Sequence, residues 1–87
     1  MTIETTTRIW REGKHYIAHA MPLDVASAGD SPESARRALR EAVEVFVTTA
    51  RSHGTLDEVL EECGYEYRDG KWNAPQIVEQ QHEELAV

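Results

Sequence analysis

Short runs of β-branched and aromatic residues open the chain, and from position 35 onward apolar residues recur at three- and four-residue steps. Thr5-Thr6-Thr7-Arg8-Ile9-Trp10-Arg11 reads as a strand, because such side chains pack well on a pleated surface. Glu12-Gly13-Lys14 is a short turn, and His15-Tyr16-Ile17-Ala18-His19-Ala20 returns as a second strand to complete a hairpin. Pro22 has no N–H to give a sheet ladder, so it separates this strand from a third, Asp24-Val25-Ala26-Ser27-Ala28, which Gly29-Asp30 closes. Ser31-Pro32-Glu33 then starts a helix. The serine oxygen caps free N–H groups, proline loses nothing at the first helical position, and the glutamate suits the positive end of the helix dipole. Ala35, Leu39, Ala42, Val43, Phe46 and Ala50 form one apolar face, Arg37–Glu41 and Arg40–Glu44 are spaced as ion pairs on the other, and Gly54 ends the helix.

A second helix follows at once. Thr55 and Glu58 have capping-box spacing, and Leu56, Val59, Leu60 and Cys63 share one face until Gly64 stops the helix. Tyr65-Glu66-Tyr67-Arg68 and Lys71-Trp72 flank Asp69-Gly70 as a small hairpin. Pro75 then opens a final helix from Gln76 through Leu85, whose few large apolar residues, Ile77, Val78 and Leu85, predict fraying or dependence on a partner.

This order of elements has a geometric consequence. Neighbouring residues of a strand point to opposite faces, so Ile9 and Trp10 are divided between the two sides of the sheet, as are Tyr16 and Ile17. One long helix covers one side only. The other is left with large apolar groups that need the Leu56–Cys63 helix, a second copy of the chain, or another protein as cover. The shortness of that helix favours a second copy.

Length and charge narrow the picture further. Eighty-seven residues make one domain, and a chain this small buries only roughly 60–65% of the surface its unfolded form exposes. No apolar run reaches the roughly 18–20 residues of a membrane span. Nine Lys and Arg stand against sixteen Asp and Glu, a net charge of −7. Residues 1–53 are balanced, whereas residues 54–87 hold Arg68 and Lys71 against a series of acids from Asp57 to Glu84, so that stretch carries the whole imbalance. Such a surface repels phosphate, which argues against autonomous nucleic-acid binding and for a basic protein partner. Met1-Thr2-Ile3-Glu4-Thr5 lacks the basic-then-apolar pattern of a secretory signal, and the lone Cys63 suits a reducing compartment, so cytoplasm is the expected location.

Catalytic candidates are few. His15 and His19 are four apart, but on a strand that spacing separates them by roughly 13 Å, too far for one ion. Cys63 falls on an apolar helix face as a small hydrophobe, and His53 suits the end of the long helix, where it meets the last carbonyls. His82 lies among glutamates in a solvated cluster, and Trp10 and Trp72 read as core or interface anchors. The expectation is no catalytic residue, no metal and no cofactor.

The order of motifs resembles the HicB-like antitoxin family over roughly residues 5–50. Tyr16-Ile17-Ala18 leads to a proline-containing loop, then Ala28-Gly29-Asp30-Ser31 opens a helix that carries Glu41-Ala42, as the family's aromatic–apolar–Ala strand, Gly-Asp-Ser/Thr step and Glu-Ala dipeptide do. The family loop Pro-x-Leu-Pro-Gly stands here as the shorter Pro22-Leu23-Asp24-Val25, and no DNA-binding module is evident after Ala50. The resemblance implies an α+β fold, β-β-β-α-β of partial double-stranded-RNA-binding type: a three-stranded antiparallel sheet followed by a long helix. Residues 1–54 form this core, and residues 55–87 are an acidic helix–hairpin–helix extension of the same domain. It also implies a bacterial-type toxin–antitoxin role: a homo-oligomer, dimer or tetramer, that neutralises a small basic HicA-type ribonuclease without catalysis of its own. Candidate partner contacts are Trp10, Ile17 and His19 on the sheet and Glu58, Glu61 and Glu62 on the second helix. Two other readings stand beside it: an orphan homo-oligomerisation module of the same fold, and a small hydrolase using His15 or His19. The Leu60–Tyr65 segment faintly resembles the toxin itself, but the toxin's Gly-Ser-x-His signature is missing.

Overall fold

The computed structural model describes residues 1–87. β2 (Thr6–Glu12) and β3 (His15–Met21) form the expected hairpin, and β4 (Val25–Gly29) pairs antiparallel with β3, giving a sheet of order β2-β3-β4. The register is continuous from Thr6↔Met21 to Glu12↔His15 and from Ala20↔Val25 to Tyr16↔Gly29. The third strand begins one residue later than its sequence suggests, because Asp24 takes a positive φ of 61° and belongs to the turn.

α1 (Pro32–Ser52) begins as the sequence requires, with Ser31 as N-cap. Its partner in the capping box is Ser34: Ser34 N donates to Ser31 Oγ at 3.1 Å, and Ser31 N donates to Ser34 Oγ at 3.0 Å. Twenty-one residues give a helix about 31 Å long, more than the sheet beneath it can cover. Its N-terminal half lays Ala35 and Leu39 against Ala18 and Ala20 of β3, a cluster of small side chains that brings helix and sheet close. Its C-terminal half passes beyond the sheet, where Val43, Phe46, Val47 and Ala50 meet a second cluster of Leu23, Leu56, Leu60, Tyr65 and Trp72. Val25 and Val43 pack against both clusters and join them. Neither Arg37–Glu41 nor Arg40–Glu44 closes as an ion pair, since exposed pairs gain too little to hold two long side chains in one geometry. His53 ends the helix through its backbone, whose N–H reaches the Arg51 and Thr49 carbonyls, and its side chain makes no hydrogen bond.

α2 (Leu56–Glu62) places Leu56 and Leu60 in the second cluster, with Cys63 half-buried beside them. The Thr55–Glu58 capping box does not form. Thr55 instead donates its hydroxyl back to the Ala50 carbonyl at 3.3 Å, because the tight link between the helices leaves that oxygen within reach. β5 (Glu66–Arg68) and β6 (Lys71–Asn73) form the predicted hairpin around Asp69-Gly70.

Two larger features also depart from the sequence reading. β1 (Thr2–Ile3) pairs parallel with β6, so the small hairpin becomes a second three-stranded sheet of order β1-β6-β5. Glu4 secures this closure: its N–H donates to the Trp72 carbonyl at 3.1 Å, and its carboxylate accepts from Ala74 N at 2.9 Å and lies 3.5 Å from Lys71 Nζ. The final helix, by contrast, is absent. Residues 74–87 carry no regular secondary structure, and Ile77, Val78 and Leu85 are exposed. A segment this short is marginal as an isolated helix, and neither apolar cluster receives these three side chains.

Tyr65 ties the second sheet to the N-terminus. It is buried, and its hydroxyl donates to the Glu4 carbonyl at 2.6 Å. Burial, helped by the charges of Cys63 and Glu4, pushes the phenol from 10.0 up to about 12. The folded state therefore holds this proton more tightly than the unfolded chain. The stability it contributes is complete below pH 10 and is lost as pH rises toward 12. Tyr65→Phe is expected to cost about 1 kcal/mol at neutral pH through the lost hydrogen bond. The gap between variant and parent should then shrink above pH 10, because phenylalanine has no proton to lose. Urea unfolding midpoints of both proteins at neutral and alkaline pH measure this.

Candidate partner-binding face

The α1-free side of the β2–β4 sheet is built by strand alternation. Tyr16, Ala18 and Ala20 point under the helix, so His15, Ile17, His19 and Met21 must point away from it. Register then sets Trp10 opposite Ile17, Arg8 opposite His19 and Thr6 opposite Met21 on β2, and on the other side Ala28 faces Ile17 and Ala26 faces His19. The alanines of β4 leave a shallow shelf beside the larger residues of β2 and β3. Trp10 is 41% exposed and Met21 45% exposed, so the face holds large apolar groups with nothing over them. α2 does not serve as cover, since its buried residues are used in the second cluster.

The polar groups on this face are held in place. His19 Nε2 lies 2.6 Å from Asp24 Oδ1, a contact made possible by the left-handed turn that swings Asp24 back over the strand. The His19 ring meets Trp10 edge-on, with centroids 6.2 Å apart at 65°, and Trp10 Nε1 donates to Glu12 Oε1 at 2.9 Å. The loop between β3 and β4 therefore works in two directions: Leu23 goes into the core and Asp24 orients His19. His15 sits at the far end of the face, 3.7 Å from Asp30. The two histidines thus face separate carboxylates, and nowhere in the chain do three His, Cys, Asp or Glu side chains converge.

At the Met21 end, a cavity of about 420 Å³ is lined by Arg8, His19, Met21, Pro22, Pro75 and Ile77. The sequence reading placed Trp10, Ile17 and His19 together, and the structure does bring them onto one surface. Met21 and Arg8 belong to the same surface and share the odd-or-even position of their strand mates, a signal that was available in the sequence. Pro75 and Ile77 reach the cavity from the other end of the chain, and no local pattern marks that. Glu58, Glu61 and Glu62 lie elsewhere, exposed on α2 with Asp57, and none has a basic group within 4.0 Å. The candidate residues therefore form two surfaces, one apolar and one acidic. No helix of the chain is long and apolar enough to cross a membrane. Set against known protein families, characterised proteins and solved structures, the chain matches none.

Proposed function

We propose that the chain is a non-catalytic binding module of the HicB-like antitoxin type, which neutralises a small basic ribonuclease toxin. The observation that carries this reading is the helix-free sheet face, where exposed Trp10 and Met21 flank the half-buried Ile17 and His19 in one register. A pre-oriented aromatic beside aliphatic groups is the usual centre of a protein interface. The acidic surface of α2 complements a nuclease that must grip a polyanion, and it acts mainly by steering the encounter. The β-β-β-α order, the Gly29-Asp30-Ser31 step and Glu41-Ala42 support the family assignment. In this reading the protein is bacterial and cytoplasmic, needs no cofactor, and has no catalytic residue.

Co-expression with a basic toxin encoded beside this gene tests the proposal. Trp10→Ser should weaken neutralisation about 100-fold or more, the scale of a central interface residue, while the melting temperature stays near that of the parent because Trp10, 41% exposed, belongs to neither apolar cluster. Reversal of Glu58, Glu61 and Glu62 to lysine should slow association and reduce its salt dependence. Full neutralisation by the Trp10 variant would remove the open face from the mechanism.

A second reading, an orphan homo-oligomerisation module, is favoured by the edge of β2, whose seven residues pair on one side only. A second copy could cover the same face as a dimer or tetramer. Both readings expect a homo-oligomer, so the co-expression experiment separates them: neutralisation of the adjacent basic toxin supports the first, and self-association without any neutralisation supports the second.

A further inference from the structure

We propose that residues 76–87 are a tethered strap, which folds into an amphipathic helix across the open face of the β2–β4 sheet and is displaced when a partner binds there. The displacement step rests on the reading of that face as a partner surface; the strap itself does not.

Four observations carry it. The strap leaves the fold at the rim of the face. Ala74 is fixed to Glu4, Pro75 lies over Gly64 where a Cβ would come within 3.0 Å of its ring, and Pro75 and Ile77 then line the cavity with His19 and Met21. Its sequence has a helical seam: Ile77, Val78, Gln81 and Leu85 fall within about 100° of arc on a helix, and Glu79, Glu83, Glu84 and Gln80 lie outside it. One charge contact is available, because Arg8 on the face has no acidic partner within 4.0 Å and can take one of the strap's three glutamates, while the others must keep clear of Glu12, Asp24 and Asp30. The lengths also match. Ten helical residues span about 15 Å, and a seven-residue strand offers about 23 Å to lie across.

The open arrangement described above and the closed one differ in a simple way. Open, the strap keeps its chain entropy and leaves Ile77, Val78 and Leu85 in water. Closed, those side chains bury against Ile17, Met21 and the Trp10 ring, and the tether supplies a local concentration in the millimolar range. A helix too short to persist alone forms only when it has this surface to rest on. The strap therefore sets a threshold for binding: a partner must contribute more to the face than the strap does.

Acrylamide quenching of tryptophan fluorescence tests the strap without any toxin, so the result is independent of the antitoxin reading. Trp72 is buried in the second cluster and provides a constant background, leaving Trp10 as the reporter. Leu85→Asp in the full chain should increase quenching by about twofold or more, as expected when a covered ring returns to the 41% exposure of the open arrangement. A chain ending at Gln76 should match it, and a peptide of residues 77–87 added to that shortened chain should restore protection at millimolar concentration. Equal quenching in parent, Leu85→Asp and shortened chain overturns the proposal. Protection in the parent that grows with protein concentration, together with a dimer in sedimentation, would give the face to the strap of a second copy and overturn it equally.

Discussion

Gly29→Ala should destabilise the protein by about 3 kcal/mol, with a melting temperature lower by more than 10 °C, about what that loss represents for a domain of this size. Gly29 closes β4 opposite Tyr16, directly beneath the first turn of α1. A Cβ there would sit 2.6 Å from Ala35 N and 2.8 Å from the carbonyl carbon of Ser34, and would run into Ser34 Oγ. Two of these are backbone atoms, which cannot rotate aside, and the third is the capping hydroxyl. Relief requires α1 to lift from the sheet, and lifting it breaks the Ser31–Ser34 box that caps the helix and opens the Ala18–Ala20–Ala35–Leu39 cluster. Ser34→Ala keeps Ser31 as N-cap and removes only the returning bond from Ser31 N–H, without adding bulk, and should cost only about 1 kcal/mol. Urea unfolding of the two variants side by side measures the difference. A Gly29 variant within about 0.5 kcal/mol of the parent would mean that helix and sheet are not in close contact at this point.

Leu60→Ala should cost about 3–4 kcal/mol, in the upper part of the range for emptying a buried leucine site. Leu60 is the largest side chain with no exposure at all, and only nine of the 87 residues are buried, so the core has little slack with which to refill the space. Its cluster also holds Trp72, through which β6 meets β1, and Tyr65, through which the second sheet holds Glu4. The loss therefore reaches both ends of the chain. Because Val25 and Val43 pack against both clusters, unfolding should remain one transition. The helical circular dichroism and the Trp72 fluorescence should fall together along the urea axis. A fluorescence change that precedes the loss of helix would show that the second cluster melts on its own.

The elements that were legible beforehand share one property: their signals lie within a few residues of their effects. The β2–β3 hairpin follows from β-branched runs around a glycine turn, the start of α1 from Ser31-Pro32, and its buried stripe from a three- and four-residue step. The mistaken elements show the limit of such signals. Thr55–Glu58 has the spacing of a capping box, but the Ala50 carbonyl competes for the threonine hydroxyl. Residues 76–85 have helical composition, yet nothing in the open fold gives their apolar stripe a surface.

The candidate site divides in the same way. Trp10, Ile17 and His19 could be grouped from strand alternation alone, and the presence of one covered and one exposed face followed from having a single long helix. Which second helix covers what could not be read, because it depends on where α1 overshoots the sheet and leads α2 into the second cluster. The pairing of Thr2–Ile3 with Lys71–Trp72 joins residues almost a whole chain apart, and two residues carry no periodicity that could announce it. The orientation of His19 by Asp24 depends on one left-handed turn.

The amino-acid order alone thus determined five of the six strands, the long helix, the division of side chains between two sheet faces, and the concentration of negative charge after residue 53. The folded arrangement decided that the N-terminus closes a second sheet, that α2 is used up inside the core, and that the C-terminal segment starts beside the exposed face. The physical reason is range: backbone preference and side-chain period act over a few residues, whereas competition for a buried surface is settled only when every element that could fill it is in place.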